Sequence, residues 1–450
     1  MLIDNREDIQ LLCNEIKKNN SIDEKDYERY RVKKGLRNDD GTGVVAGLTR
    51  ICNVHGYIVD EGERTPIDGE LIFRGIDIVD IIEGCQKENR FGFEEVTWLL
   101  LFGKLPTKDQ LDAFCRLLES NRQVPLQFTE DMIMKTPTAN IMNKLGRCVL
   151  ALYSLDDDPE NISVENVLMQ SINLIAKLPT IMVNAYQVKK RIYDNKSMFF
   201  HPLIPGLSTA EWILSSMRSN RTFTDEEAKL LDLCLILHAE HGGGNNSTFA
   251  CRVLSSSGTD TYSAISAAIG SLKGPKHGGA NIKVMEMLGY MEEGIENWED
   301  DNQVKDFIAR LMRKQEGDRS GLVYGLGHAV YTKSDPRAIM LKKYALDLAK
   351  GTDYEKKFML LDAVERLTPQ VFAEIKGDGK SVCANVDLYS GLVYKMLNIP
   401  SELYTPLFAI SRMAGWCAHR IEEISTCSRI MRPAYKAIEP AASYIPMADR

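Results

Sequence analysis

The sequence predicts an all-α protein of many helices, divided into a large and a small domain, with one short β-hairpin region near its N-terminus. Three observations carry this. From Asp77 onward apolar residues recur at three- and four-residue steps. The only convincing strand-like pieces lie between Gly47 and Gly75. After Gly289 the composition turns highly charged, from Glu292 to Lys314 and again from Lys350 to Lys357, before an apolar pattern returns at Leu392. No period of about 20 to 50 residues repeats, which argues against a solenoid.

Taken in order, residues 1–45 are rich in Asn, Asp, Glu and Lys and read as a polar helical arm. Ile51 to Tyr57 and Glu70 to Gly75, separated by Gly and Pro, read as the hairpin region. Phe93, Val96, Leu99 and Leu100 mark a helix that Pro106 closes, and Thr107 opens the next. Similar patterns run through Met142 to Tyr153, Val167 to Ile192, Ala228 to His238 and Phe408 to Ile424. Ala264, Ala267, Ala268 and Ser271 form a small-residue face suited to close helix approach. The large domain is expected over 46–277, the small domain over 278–388, and a return to the large domain with a C-terminal segment over 389–450.

Composition narrows the function. The chain of 450 residues is long enough for such a division. Its net charge of -8 leaves no surplus of positive charge to neutralise nucleic-acid phosphates. Ten cysteines occur without a Cys-x-x-Cys pair, as suits reduced thiols in a cytosol. The acidic start lacks the features of a signal or transit peptide, and no apolar run nears the roughly 18 residues of a membrane span. A soluble cytoplasmic protein without nucleic-acid or membrane partners is expected.

Four of the seven histidines lie between His238 and His328, each beside glycines or at the edge of an apolar helix. His238-Ala-Glu-His241 invites a metal reading because residues three apart share a helix face. The spacing is nevertheless not His-Glu-x-x-His, and no third ligand stands nearby. A structural pair or recognition of an anion or carbonyl are the alternatives, with Gly242 to Gly244 ending the helix and leaving His241 facing open space. Gly274-Pro-Lys-His277-Gly-Gly-Ala-Asn281 breaks one helix and starts another, placing His277 at a helix N-terminus. There it is either a polar cap or a neutral imidazole whose pKa the helix end depresses, able to donate to a developing enolate.

Gly321 to His328 lacks the order of a dinucleotide loop, and Gly377-Asp-Gly-Lys380-Ser lacks the first glycine of a phosphate loop. Arg337, after Asp335-Pro336, either pairs locally with an Asp or forms a fork for a substrate carboxylate. Asp387, in Asn385-Val-Asp387, is either an ordinary helix cap or a carboxylate that stays ionised and serves as a base. Arg412 interrupts an apolar helix and must either snorkel to solvent or meet an anion.

Together these blocks resemble the citrate synthase family, the si-face enzymes, from about Gly47 to Tyr435. The likeness rests on the block around His277, on Gly325-Leu-Gly-His328-Ala-Val through Arg337, on Asn385-Val-Asp387, on Gly415-Trp-Cys-Ala-His419, and on Arg432-Pro433. It implies a mostly α-helical homodimer whose active site lies in the cleft between two domains. Oxaloacetate binds first and closes them, and acetyl-CoA follows. By position, His241, His328, Arg337 and Arg412 hold oxaloacetate, with Arg432 entering from the partner subunit. Asp387 takes the acetyl proton and His277 donates to the enolising thioester oxygen.

Gly325, Lys333, Lys380 and Asn385 are assigned to coenzyme A. Lys333 and Lys380 stand in for a family arginine, where Tyr331-Thr332-Lys333 departs from the pattern. Ala384 stands where a proline commonly precedes the Asn-Val-Asp block. No metal or redox cofactor is implied. 2-Methylcitrate synthase, with propionyl-CoA, shares these residues. A non-catalytic helical scaffold dimer is the alternative of another class, against which the intact Asp387, His277 and His328 speak.

Overall fold

The computed structural model describes residues 6–60, 63–377, 382–427 and 429–450. Met1–Ala46 with Arg432–Arg450 form one compact unit, and Gly47–Met431 form another. In the first unit, α1 (Arg6–Asn19) and α2 (Glu24–Arg29) are short polar helices. α2 is capped by the Asp23 carboxylate, which accepts from the Lys25 N–H, and it buries no residue. Lys436, from the C-terminal stretch, lies over the Tyr30 ring at 5.7 Å.

The second unit opens with the expected hairpin. β1 (Cys52–Asp60) pairs antiparallel with β2 (Glu63–Phe73), which pairs in turn with β3 (Ile76–Asp77). The register slips between His55 and Tyr57, where Gly56 forms a bulge. This is the only sheet among the described residues.

Helices follow, many of them started by a residue whose side chain satisfies an orphan N–H. α3 (Ile78–Lys87) is capped by Asp77, and α4 (Phe93–Phe102) has Asp232 accepting from the N–H groups of Gly92 and Phe93. α5 (Lys108–Ser120) begins with a Thr107–Gln110 capping box, so the stop and start read at Pro106-Thr107 are found. α6 (Ile141–Tyr153), α7 (Val164–Tyr193), α8 (Thr209–Met217) and α9 (Asp225–His238) come next. α10 (Asn246–Ser256) and α11 (Thr261–Lys273) complete this stretch, and the small-residue face of α11 packs on α6 and α10.

α12 (Ala280–Gly294), α13 (Asp301–Met312), α14 (Pro336–Ala349) and α15 (Glu355–Lys376) form the charged stretch, followed by α16 (Asp387–Met396) and α17 (Tyr404–Thr426). Seventeen α-helices among the described residues, against one small sheet, make the protein all-α as the periodicity predicts. Their apolar side chains join in one continuous core that includes Val284, Phe307, Leu341 and Leu361 from residues 278–388.

α17 is the axis of this core. It is buried almost without interruption from Tyr404 to Arg420 and packs on α4, α6, α7, α9, α10 and α11. An apolar helix in that position carries polar side chains only where partners await them. Ser411 donates to the Leu235 carbonyl, Trp416 Nε1 donates to Ser247 Oγ at 3.2 Å, and Arg420 reaches Thr261, Ser255 and the Thr259 carbonyl. No helix among the described residues is long and apolar enough to cross a membrane, and all ten cysteines are free thiols.

Candidate active site

One wall is built by the end of α9 against α17. α9 stops at His238, so the expected shared helix face with His241 does not exist, because His241 lies beyond the helix end. His238 Nδ1–H donates to the Cys234 carbonyl at 2.8 Å, and burial pulls its pKa down to about 3. Glu240 points the other way, into a buried chain of polar groups. Arg252 donates to His419 Nδ1 at 2.7 Å, so the His419 proton sits on Nε2 and is donated to Glu240 Oε1 at 3.0 Å. Arg252 is held in turn by Glu422 and Glu423. Gly415 makes room for this arrangement, since a Cβ there would lie 2.1 Å from Glu240 Oε2. Burial works against the charge of Glu240, but His419, Arg412 and the Gly242 N–H outweigh it and hold its pKa low.

Arg412 emerges from the middle of α17 with 0% of its surface exposed, which rules out snorkelling. Its Nε donates to the His238 carbonyl at 2.7 Å and its guanidinium lies 4.8 Å from the Phe408 ring centre. Nη1 and Nη2 are buried without any hydrogen-bond partner. Burial pulls its pKa down to about 10, with Glu240 opposing and Arg337 adding to the fall. Buried charges are normally paired, so two orphan donors define a place for an anion. His241 Nε2 is likewise buried and unpartnered. Far from facing open space, the His241 ring packs edge-on to His328 at 5.0 Å and to Tyr331 at 5.6 Å. Burial, with Arg337, His328 and Arg412 close by, holds its pKa well below the usual range.

His277 stands in a turn three residues ahead of α12, whose cap position is Gly279, and not at the helix N-terminus itself. The N-terminus it faces belongs to α10. The Ser247 N–H donates to its Nε2 at 3.3 Å, and Ser247 Oγ lies 3.0 Å away. A backbone N–H can only donate, so Nε2 accepts and the proton sits on Nδ1. The pKa falls to about 4, through burial first and Arg412 second, and not through the start of its own helix.

The opposite wall comes from the loop before α14 and the start of α16. His328 Nδ1 accepts from the N–H groups of Val330 and Tyr331, both at 3.1 Å, which places its proton on Nε2. Arg337 makes the local pair foreseen as one alternative: Nε and Nη2 bind the buried Asp335 carboxylate at 3.1 and 2.7 Å. Burial works against its charge, but Asp335 outweighs it and the pKa is raised.

Asp387 is the first residue of α16, and its N–H bonds the Asn385 side chain. Burial pushes its pKa up to about 6, against the pull of Arg337 and Arg412, so the carboxylate is still mostly ionised at neutral pH but titrates closer to it than a helix start alone implies. The physical reason is desolvation in the cleft, which exceeds what a helix start supplies. Asn385 brackets the loop to α16 by donating to the Gly327 carbonyl at 2.9 Å and from its own N–H to the Gly325 carbonyl.

Six expected residues thus converge. Arg412 acts electrostatically on His241, His277 and Asp387, while Arg337 acts on His241 and Asp387. His328 packs on His241. Lys333 instead pairs with Asp68 at 2.6 Å and Lys380 lies outside the described residues. Arg432 belongs to the terminal unit, with an exposed side chain. Sequence reasoning missed Ser247 and the Glu240–His419–Arg252 chain. Glu240 was within reach, standing inside the singled-out His-Ala-Glu-His run. Among the described residues no group of three or more His, Cys, Asp or Glu is arranged to hold a metal ion.

The family model described as "Citrate synthase, C-terminal domain" matches residues 39–434. The citrate synthase of Synechocystis sp. is 34% identical over 416 residues, covering 91% of this chain and 92% of its own length. The 2-methylcitrate synthase 1 of Corynebacterium glutamicum is 29% identical over 422 residues, covering 93% and 99%. Among solved structures, the ternary complex of carboxymethyl coenzyme A and oxaloacetate with citrate synthase from Thermoplasma acidophilum is similar at a TM-score of 0.73 and 27% identity, covering 93% of this chain and 99% of that one. With a family match over most of its length and a relative above 30% identity across nine-tenths of it, the chain belongs to the citrate synthase family.

Proposed function

We propose that the protein condenses acetyl-CoA with oxaloacetate and hydrolyses the resulting thioester to citrate and coenzyme A. The observation that supports this reading most directly is the buried Arg412, with two unpartnered guanidinium nitrogens, acting on the same cleft as the half-buried Asp387. One group calls for a carboxylate ligand and the other is a base tuned close to neutrality.

Arg412, Arg337, His241 and His328 hold oxaloacetate, and His328 Nε2–H polarises its ketone. Asp387 removes a methyl proton from acetyl-CoA while His277 Nδ1–H donates to the thioester oxygen. One such donor is typically worth roughly 3 to 4 kcal/mol toward the developing enolate. The enolate carbon then bonds to the ketone carbon, and water cleaves the C–S bond to release coenzyme A. Proton transfer and fixed charge suffice for every step, so the reaction calls for no metal or redox cofactor. Residues 278–388 close over the cleft to exclude water from the enolate.

A homodimer in the cytoplasm, with Arg432 reaching into the partner's site, completes this reading. Gly325, Asn385, Lys333 and Lys380 are the coenzyme A side of it, with Lys333 required to leave Asp68. The 2-methylcitrate synthase relative keeps propionyl-CoA as the second reading, since one methylene is worth only about 1 to 3 kcal/mol of discrimination. Thiol release from acetyl-CoA and propionyl-CoA, each with and without oxaloacetate, tests both. Oxaloacetate-dependent release favouring acetyl-CoA is expected. A preference for propionyl-CoA overturns citrate as product, and silence with both overturns the enzyme.

A further inference from the structure

The hairpin is the only sheet among the described residues, and it grips the loop that carries His328. Across more than 260 residues of sequence, Tyr331 OH donates to the Glu70 carbonyl of β2 at 3.1 Å. The Gly69 N–H donates to Ser334 Oγ at 3.1 Å, and Ser334 Oγ donates to Asp68 at 2.9 Å. Lys333 pairs with Asp68, and Arg64 donates to the Val330 carbonyl at 3.3 Å. Two glycines of the hairpin lie against Tyr331 with no space for a side chain. A Cβ on Gly69 would lie 2.2 Å from the Ser334 carbonyl and 2.7 Å from the Tyr331 ring, and one on Gly56, at the bulge, would lie 3.0 Å from that ring.

Tyr331 is almost wholly buried, and its ring stacks on that of His328 at 4.6 Å and 23°. The same residue supplies one of the two N–H groups received by His328 Nδ1. Tyr331 therefore sets the ring's face and, together with the Val330 N–H, its tautomer, while it is itself anchored at its far end.

We propose that Tyr331 is a positioning residue for the condensation: clamped by the hairpin at Gly56, Gly69 and Glu70, it holds His328 with Nδ1 as acceptor and Nε2–H as the donor to the substrate ketone. This rests on the role given to His328 above. A shift of about 1 Å in a group that must meet a reacting atom costs about 100-fold in rate. Loss of the clamp therefore acts on kcat more than on oxaloacetate KM, which the arginines dominate.

The test compares Tyr331→Phe, Tyr331→Leu and Gly69→Ala in the full-length protein, reading kcat, oxaloacetate KM, melting temperature and the imidazole 15N shifts of His328. Tyr331→Leu is expected to lower kcat about 10- to 100-fold and to turn the single-tautomer 15N pattern into a mixture. Tyr331→Phe keeps the stack and both N–H groups but loses the bond to Glu70, and is expected to fall between the parent and Tyr331→Leu. Gly69→Ala, which touches no substrate, is expected to fall in the direction of Tyr331→Leu. A folded Tyr331→Leu protein with parental kcat, or with the His328 15N pattern unchanged, overturns the proposal. If the parent itself releases no thiol, the condensation reading fails, while the 15N pattern still decides whether Tyr331 fixes the ring.

Discussion

The two walls of the cleft solve opposite problems with the same residue type. On the helical wall, Arg412 is a buried cation whose carboxylate neighbour Glu240 is turned toward His419, and two of its nitrogens have no partner. On the loop wall, Arg337 is a buried cation bound at two nitrogens by Asp335 in its own helical turn. The first wall is incomplete without an anion and is held rigid by the core around α17. The second is satisfied internally and is located by its tether to the hairpin. A binding site can thus divide its tasks, with unmet donors on one wall and self-paired groups on the other.

The largest expected break of this division is at the base. Asp387→Asn is expected to lower kcat by about 1,000-fold, within the range for loss of a general base, with oxaloacetate binding largely kept. Isothermal titration with oxaloacetate beside a thiol-release assay checks both halves, and near-parental turnover would assign the proton to another group.

The arginines sharpen the comparison next. Arg337→Met strands the buried Asp335 carboxylate and is expected to cost about 3 to 5 kcal/mol of stability. Arg412→Met removes a buried charge that has no salt bridge and two unpartnered nitrogens, so the unliganded protein is expected to melt no lower than the parent. Its oxaloacetate affinity should fall about 30-fold or more, in line with the ~2 kcal/mol or more lost on truncating a buried charge contact. Thermal melts of both variants without ligand decide the matter: equal destabilisation would erase the distinction between the walls.

The smallest effect is in pH. Asp387 acts as a base only when ionised, and its pKa of about 6 predicts that kcat/KM falls about tenfold per pH unit below that value. His277, at about 4, stays neutral through this limb. The stability signs differ. The folded pKa of Asp387 lies above its ordinary 3.8, so its stabilising contribution is complete below 3.8 and lost as pH rises through about 6. His277 lies below its ordinary 6.5, so its contribution is complete above 6.5 and lost as pH falls through about 4. Asp387→Asn should therefore remove the acid limb of whatever turnover remains and raise the melting temperature near pH 7. A limb unchanged in that variant would place the titration elsewhere.

Sequence reading located the helices because periodicity and caps are local signals, as at Thr107. It found Arg412 because a lone charge in an apolar run is conspicuous. It could not tell that two of that residue's nitrogens lack partners, since this depends on how the end of α9 crosses α17. The same limit explains the histidines. His277 owes its low pKa to burial and to Arg412, and His241 owes its burial to a loop beginning some ninety residues later. Desolvation of Asp387 is likewise a property of the assembled cleft. Tyr331 passed as a departure from a family pattern because its anchors are in the hairpin, far away along the chain.

One consequence lies in the fixed sign of the cleft. His238, His241 and His277 all have depressed pKa values, so at neutral pH they are hydrogen-bonding groups without charge, and the positive field comes from two guanidiniums. Neither guanidinium titrates in the physiological range. The pocket therefore weighs an incoming molecule by how many ionised acids it presents, and acidification reaches the chemistry through the carboxylate that must accept a proton, while the grip on a dicarboxylate persists.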